Sequence, residues 1–299
     1  RRRQWGKRAR PMMGAQNMHY EMADRVRAID CGGIGAFHAL AVNTGLVDEI
    51  NQHVHVLKRH LPYHESDHVL NIAYNVLSGG QCLDDIALRR NDECYMDALG
   101  AECIPAPTTA GDFSRRFLSQ HVLGLMEAIN RIRVKVWRER LAPAERAEAI
   151  IDVDGVVAAT TGECKQGMHM SYKGVWGYHP LLVSLANTNE PLYLVNRPGN
   201  RPSHDGAVEW IDRAIDLTRP LFDRVCLRGD TDFSLTEHFD RWTDHGVRFA
   251  FGFDAMPHLV KMAETLDESA YAPLRRRVKR PMDTSPRQRP ENVKERIVN

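Results

Sequence analysis

The hydrophobic period of this chain changes near residue 149, and that change constrains its architecture more than any other feature. Up to Leu141 apolar residues recur at three- and four-residue intervals, broken at glycine and proline; from Ala149 they fall in short runs separated by turn residues. The first texture predicts a helical module. The second predicts strands alternating with helices, and the join falls at the proline-bearing LAPAERAEA.

Within the helical part, GGIG at residues 32–35 reads as a helix start, and GAFHALAVNTGLVDEINQHV reads as one helix. Ser66 is placed to cap HVLNIAYNVLSGG, which Gly79 and Gly80 end, and Asp84 to begin CLDDIALRRNDECYMDALG. PAPTTAGD reads as a loop, with Thr109 or Asp112 capping a long helix that runs to Leu141. That helix bears Arg115, Arg116, Arg131, Arg133, Lys135, Arg138 and Arg140. A basic helix of this kind suits contacts to phosphates, and a surface helix with snorkelling arginines gives the same spacing.

The second part reads strand, strand, strand, helix, strand, helix, strand: AIIDVDGVVAAT, YHPLLVSLAN, PLYLVNRPG, GAVEWIDRAIDLTRP, RVCLRGDTDF, LTEHFDRWTDHG and VRFAFGFDA. Three sequential strands followed by alternating helices and strands predict a mixed sheet covered by helices, in the order of the ribonuclease-H-like α/β fold. After Asp254 the pattern weakens into a basic, proline-punctuated stretch with Arg275, Arg276, Arg277, Lys279, Arg280, Arg287 and Arg289, read as the start of an inserted subdomain or a basic tail. The expected division is a basic segment over 1–27, a helical domain over 28–145, an α/β domain over 149–254, and the last segment over 255–299; the resemblance given below implies DNA binding or assembly for the second and an incomplete catalytic core for the third.

Two acidic pairs then stand out. Asp152 and Asp154 are spaced i, i+2 on the first predicted strand, so both leave the same face; Asp230 and Asp232 repeat that spacing at the end of a later strand. If the two strands are neighbours, the carboxylates meet outside the strand ends, where open α/β sheets place their sites. Oxygen-only ligands select Mg2+ or Mn2+, and carboxylate-held metals suit phosphoryl transfer on nucleic acid. Aspartates that merely cap turns are the structural alternative.

Several function classes are excluded or unsupported. No GxxxxGK[ST] string is present, which argues against a nucleotide-driven motor, and no HExxH or HxHxD run recruits His179, His204 or His238 to a metallohydrolase site. The six cysteines (Cys31, Cys82, Cys94, Cys103, Cys164, Cys226) show no CxxC pair and read as reduced thiols, Cys226 as a core residue. The basic start RRRQWGKRAR lacks the apolar core of a signal peptide, and no stretch is long enough to span a membrane, so a cytoplasmic protein is expected, and the resemblance given below implies that it is nucleoid-associated. The net charge of +1 hides positive clusters at both ends and on the central helix.

LSGGQCLDDIALRRND, IPAPTTAGDFSRRF, IDVDG, YHPLLVSLA, NRPGNRPSHDGAVEWI and RGDTDFS, in this order, resemble the DDE group 1 transposases of bacterial insertion sequences. The resemblance implies a ribonuclease-H-like catalytic domain behind an all-helical domain, a magnesium (or manganese) cofactor, and hydrolysis and strand transfer at the ends of a mobile element. Double-stranded DNA at element ends and target is the implied partner, bound by a homodimer with no membrane involved. Arg115, Arg116, Arg131, Arg133, Lys135 and Arg138 are the implied DNA contacts.

By the same resemblance the catalytic pair is Asp154 and Asp230, with Asp152 and Asp232 as further metal ligands. Gly155 and Val156 stand where the family carries a threonine two residues after the first aspartate, which leaves the choice between Asp154 and Asp152 open. Arg228 before Asp230 and Phe233 after it fit the second motif. The family's third residue, a glutamate on a late helix, has no counterpart here, and Glu291 is not assigned to it. The expectation is a C-terminally truncated, inactive fragment; the alternatives are a non-catalytic DNA-binding remnant and a structure-specific nuclease on the same fold.

Overall fold

The computed structural model describes residues 6–7, 9–15, 31–162 and 165–273. Cys164, the basic cluster from Arg275 to Arg289, and Glu291 lie outside the described residues. Arg1–Phe253 form one compact unit and Asp254–Asn299 a second.

The first unit opens with helices. α1 (Ile34–Thr44) and α2 (Leu46–His53) divide what the periodicity predicts as one helix, because Gly45 at φ 89° turns the chain left-handed between them. α3 (Glu65–Leu77) is capped by His64 rather than Ser66, which lies inside the first turn; Asp67 closes the cap by accepting from the His64 amide at 2.9 Å. The third predicted helix breaks into a 3-10 turn, α4 (Ile86–Arg90) and α5 (Glu93–Leu99), since Asp92 caps a new start by accepting from the Tyr95 amide. PAPTTAGD is no loop. Pro107 occupies the first position of α6 (Pro107–Ser114), and α7 (Ser119–Arg140) follows after a break. Ile50, Val54, Ile86, Leu99, Ile104 and Ala110 form the core of this part.

The sheet strands are β1 (Ala149–Gly155), then β2 (Ala158–Ala159), β3 (His169–Met170) and β4 (Trp176–Tyr178), then β5 (Leu181–Leu185) and β6 (Glu190–Val195). After α8 (Ala207–Thr218) come β7 (Val225–Gly229), α9 (Phe239–Asp244) and β8 (Val247–Phe251). The large sheet runs β6-β5-β1-β7-β8, with β5 antiparallel to both β1 and β6, and β7 parallel to both β1 and β8. This is the ribonuclease-H-like arrangement that the order of elements predicts. The additional small sheet β2-β4-β3 lies in the connection from β1 to β5 and has no counterpart in the sequence reading.

Ala149, Ile151 and Val153 of β1, with Leu181, Val183 and Leu185 of β5 and Leu227 of β7, are buried in a core that includes Ile211 and Ala214 of α8. Strand alternation turns Asp152 and Asp154 to the opposite face, as their spacing predicts. α7 joins the two cores: Trp137 is buried in the sheet core and Leu125 packs on the helical one. In the second unit, Pro257 opens α10 (Pro257–Glu264) and a 3-10 turn follows at Glu268–Ala270. Among the described residues no helix is long and apolar enough to cross a membrane.

Candidate active site

The two acidic strands are neighbours. In the parallel register of β1 and β7, Asp152 stands opposite Arg228. Asp154 and Asp230 each lie two residues further along, so the same register carries both to one edge of the sheet.

The four carboxylates differ in their partners. Arg228 grips Asp152 with two hydrogen bonds, Nε to Oδ1 at 2.6 Å and Nη2 to Oδ2 at 2.7 Å; this pairing raises the guanidinium pKa. Asp232 accepts from the Ser203 amide at 3.2 Å. Asp230 caps the 3-10 turn Thr231–Phe233, accepting from the Asp232 amide at 3.0 Å, and Asp154 accepts from the adjacent Gly155 amide at 2.7 Å. Among the described residues no cation pairs with Asp154 or Asp230, and both are exposed.

A cleft of about 520 Å³ opens beside this edge, lined by Asp230, Thr231, Asp232, Tyr172, His179 and the segment 199–203. Its far wall is fastened by Arg197, a buried residue that donates from Nε to the His179 carbonyl and from Nη1 to the carbonyls of Ser203 and Asp205. Burial draws the Arg197 pKa below the usual guanidinium value, against the opposing charge of Asp205. The His179 amide returns a bond to the Arg197 carbonyl at 2.9 Å. His179 itself is buried, and its Nδ1 lies 2.7 Å from the Arg201 carbonyl. A carbonyl only accepts, so Nδ1 is the donor of this bond.

Gly155 sits where this wall meets the acid edge. A Cβ there would stand 2.6 Å from His179 Nε2 and 2.8 Å from Ser203 Oγ, which explains a glycine directly after Asp154. His179, Ser203 and Arg197 are thus parts of the site that the acidic pairs do not reveal. For Arg197 and Ser203 the sequence trace is NRPGNRPSHDG, with one Arg-Pro step on each side of Gly199; His179 stands apart from it, in YHPLLVSLA.

The residues expected to contact DNA are scattered in their roles. Arg133 is only 10 % exposed at its side chain, binds Glu190 at 3.1 Å and contacts Asn130. Arg131 pairs with Glu49 at 2.7 Å, and Lys135 donates to the Thr44 carbonyl at 3.2 Å. These three tie α7 to β6, α2 and α1. Arg115 pairs with Asp112, while Arg116 and Arg138 are exposed. His204 is exposed and His238 pairs with Glu237, and neither belongs to the lining of the cleft. Cys226 is half-buried, and burial raises its thiol pKa, consistent with an unreactive packing residue.

The donors at the acid edge are carboxylate oxygens, the donor set of a hard divalent cation. Among the described residues no group of three or more His, Cys, Asp or Glu is arranged to hold a metal.

A family model described as transposase DDE domain, group 1, matches residues 28–290. No curated protein matches the chain. Among solved structures, the Mos1 mariner paired-end complex with Mn is similar at 10% identity and a TM-score of 0.24, over 66% of this chain and 70% of that one. The Mos1 transposase paired-end complex with the left transposon end is similar at 9% identity and a TM-score of 0.21, over 61% of this chain and 57% of that one. Similarities this distant add no argument about the site.

Proposed function

Because the chain belongs to the transposase DDE domain group 1 family, we propose that it is a DNA transposase acting at the ends of a bacterial insertion sequence, with Asp154 and Asp230 as its first two metal-binding carboxylates. The observation that carries the assignment is the division of labour within each acidic pair. Asp152 is neutralised by Arg228 and Asp232 tethers the loop at Ser203, whereas Asp154 and Asp230 share an edge without a counter-cation among the described residues. Two anionic groups on one edge repel each other, and a shared Mg2+ or Mn2+ relieves that repulsion.

When bound, such an ion supplies charge stabilisation for phosphodiester hydrolysis and strand transfer. The chain's own residues prepare for it. Arg228 holds Asp152 away from the edge, the 3-10 turn after β7 fixes the Asp230 carboxylate, and the Arg197 clamp holds the wall of the cleft beside it. We assign phosphate contacts to the exposed Arg116 and Arg138, with Arg115 available on breaking its exposed pair with Asp112. Double-stranded DNA, a homodimer assembled on it and a cytoplasmic, nucleoid-associated location complete the reading.

Mn2+ binding to the full chain, followed by electron paramagnetic resonance, tests the assignment without requiring turnover. Asp154→Asn and Asp230→Asn are expected to weaken binding, while Asp152→Asn leaves it near the parent value. Equal binding by all three variants would sink the assignment. Cleavage of duplexes taken from the DNA flanking the coding sequence should require the same two aspartates.

A second reading is favoured by one observation: among the described residues no three His, Cys, Asp or Glu side chains are grouped to hold a metal. It makes the protein a DNA-binding transposase remnant. Salt-dependent duplex binding with no Mg2+- or Mn2+-dependent cleavage is its signature.

A further inference from the structure

Within the connection from β1 to β5, the turn between β3 and β4 is tightly bonded and presents an aromatic ring to the acid cleft. Ser171 is buried and closes the turn: its amide donates to the Val175 carbonyl at 2.8 Å, and its hydroxyl accepts from the Val175 amide at 3.1 Å. Gly174, at φ 71°, donates back to the Ser171 carbonyl. The tip held this way carries Tyr172 and Lys173.

Tyr172 is 76% exposed, the most exposed large apolar side chain among the described residues, yet it lines the same cleft as Asp230 and Asp232. One side of its ring leans on His179, with centroids 6.1 Å apart, and the Lys173 ammonium lies 5.2 Å from the ring centroid. No carboxylate pairs with Lys173 among the described residues. An aromatic ring fixed by a bonded turn, largely left in water and carrying over it a cation that no carboxylate holds among the described residues, suits a flat ligand that carries negative charge nearby.

A nucleotide meets both conditions, with a π face for the ring and a phosphate for the ammonium. A base inside a duplex already stacks on its neighbours and cannot offer its face, so the nucleotide must be unpaired. We propose that Tyr172 is a stacking platform for an unpaired nucleotide beside Asp230, with Lys173 on the adjoining phosphate. The inference rests on the proposed DNA substrate and adds a preference for locally opened strands at the cleft.

Fluorescence anisotropy of the full chain with labelled oligo(dT) and with a blunt duplex, at one salt concentration, tests it. Stacking on one aromatic ring is worth about fivefold to a hundredfold in affinity. Tyr172→Ala should weaken oligo(dT) binding by that factor and leave duplex binding unchanged. Tyr172→Phe keeps the ring and should bind oligo(dT) as the parent does, while Lys173→Ala should lower the salt slope by about one. Unchanged oligo(dT) binding by Tyr172→Ala overturns the stacking role, as does an equal loss in Tyr172→Phe. A shift in oligomeric state with no change on oligo(dT) makes the ring a protein contact and also overturns it. If the parent binds duplex while Tyr172→Ala has no effect, only the platform fails; if the parent binds neither DNA, the transposase reading fails with it.

Discussion

His68 shows how much a single buried group can tie this fold to pH. It stacks on Phe113 with ring centroids 4.3 Å apart and meets the edge of Tyr63, and its Nδ1 has no hydrogen-bond partner. Burial is the main cause that holds its pKa down to about 4; Glu65 opposes the shift and Arg116 adds to it. In the unfolded chain the same imidazole titrates near 6.5. Because the folded value is the lower one, the neutral ring contributes its full stability above that unfolded value and loses it as pH falls toward 4. At roughly 1.4 kcal/mol per tenfold in proton affinity, up to about 3.5 kcal/mol is at stake. Urea denaturation of the parent and of His68→Phe should therefore diverge, the parent losing stability relative to the variant between neutral pH and pH about 4.5. Parallel curves would show that His68 titrates alike in the folded and unfolded chains, as an exposed ring does, and would overturn this account. His38, also pushed down mainly by burial, acts in the same sense in both proteins.

Gly155 is the second residue whose surroundings dictate its identity. The contacts a Cβ would make with His179 Nε2 and Ser203 Oγ are shorter than real ones, so an alanine forces the wall away from β1. Gly155→Ala is expected to destabilise the protein by about 1–3 kcal/mol, as overpacking does. The resonance of the His179 ring should move with it. An unshifted His179 signal and unchanged stability would place the ring elsewhere.

At the scale of elements, the wall of the acid cleft depends on one side chain that reaches three carbonyls. Residues 196–206 contain no strand or helix, yet Arg197 binds the carbonyls of His179, Ser203 and Asp205 and so joins the end of β4 to the approach of α8. Arg197→Leu keeps bulk but leaves these acceptors without their donor, and each unsatisfied buried acceptor costs about 1–3 kcal/mol. Limited proteolysis should cut the variant within this segment before the parent is cut anywhere. Equal resistance in the two proteins would mean that the segment holds its shape without the guanidinium.

At the scale of the first unit, α7 makes the helical part and the sheet depend on each other. Its Trp137 ring is buried against Phe222 in the sheet core and donates to Glu190 at 2.7 Å, a carboxylate that also receives Arg133. On its other side Arg131 and Lys135 reach α2 and α1. Neither core keeps its surface covered if α7 leaves, so far-UV circular dichroism and tryptophan fluorescence should report coincident unfolding of this unit. Two separated transitions would show independent domains. Glu190→Ala, which removes the shared acceptor of Arg133 and Trp137, should lower the midpoint of both signals together.

The sequence alone determined the order of elements, the mixed sheet and the two acidic strand ends, because each rests on a local period that neighbouring residues impose on one another. It also put Asp152 and Asp154 on one face, since strand alternation is a property of the backbone. Helix breaks such as Gly45 and Asp92 were less legible, because a single left-handed residue or cap interrupts a period that continues on both sides. What only the tertiary structure decided are matters of register between distant segments: that β1 and β7 are parallel neighbours, and that Arg228 lies beside Asp152 and therefore pairs with it rather than leaving it on the open edge. The arginines of α7 are the plainest case. Their charge is written in the sequence, but whether a guanidinium faces phosphate or Glu190 depends on which surface the helix is packed against.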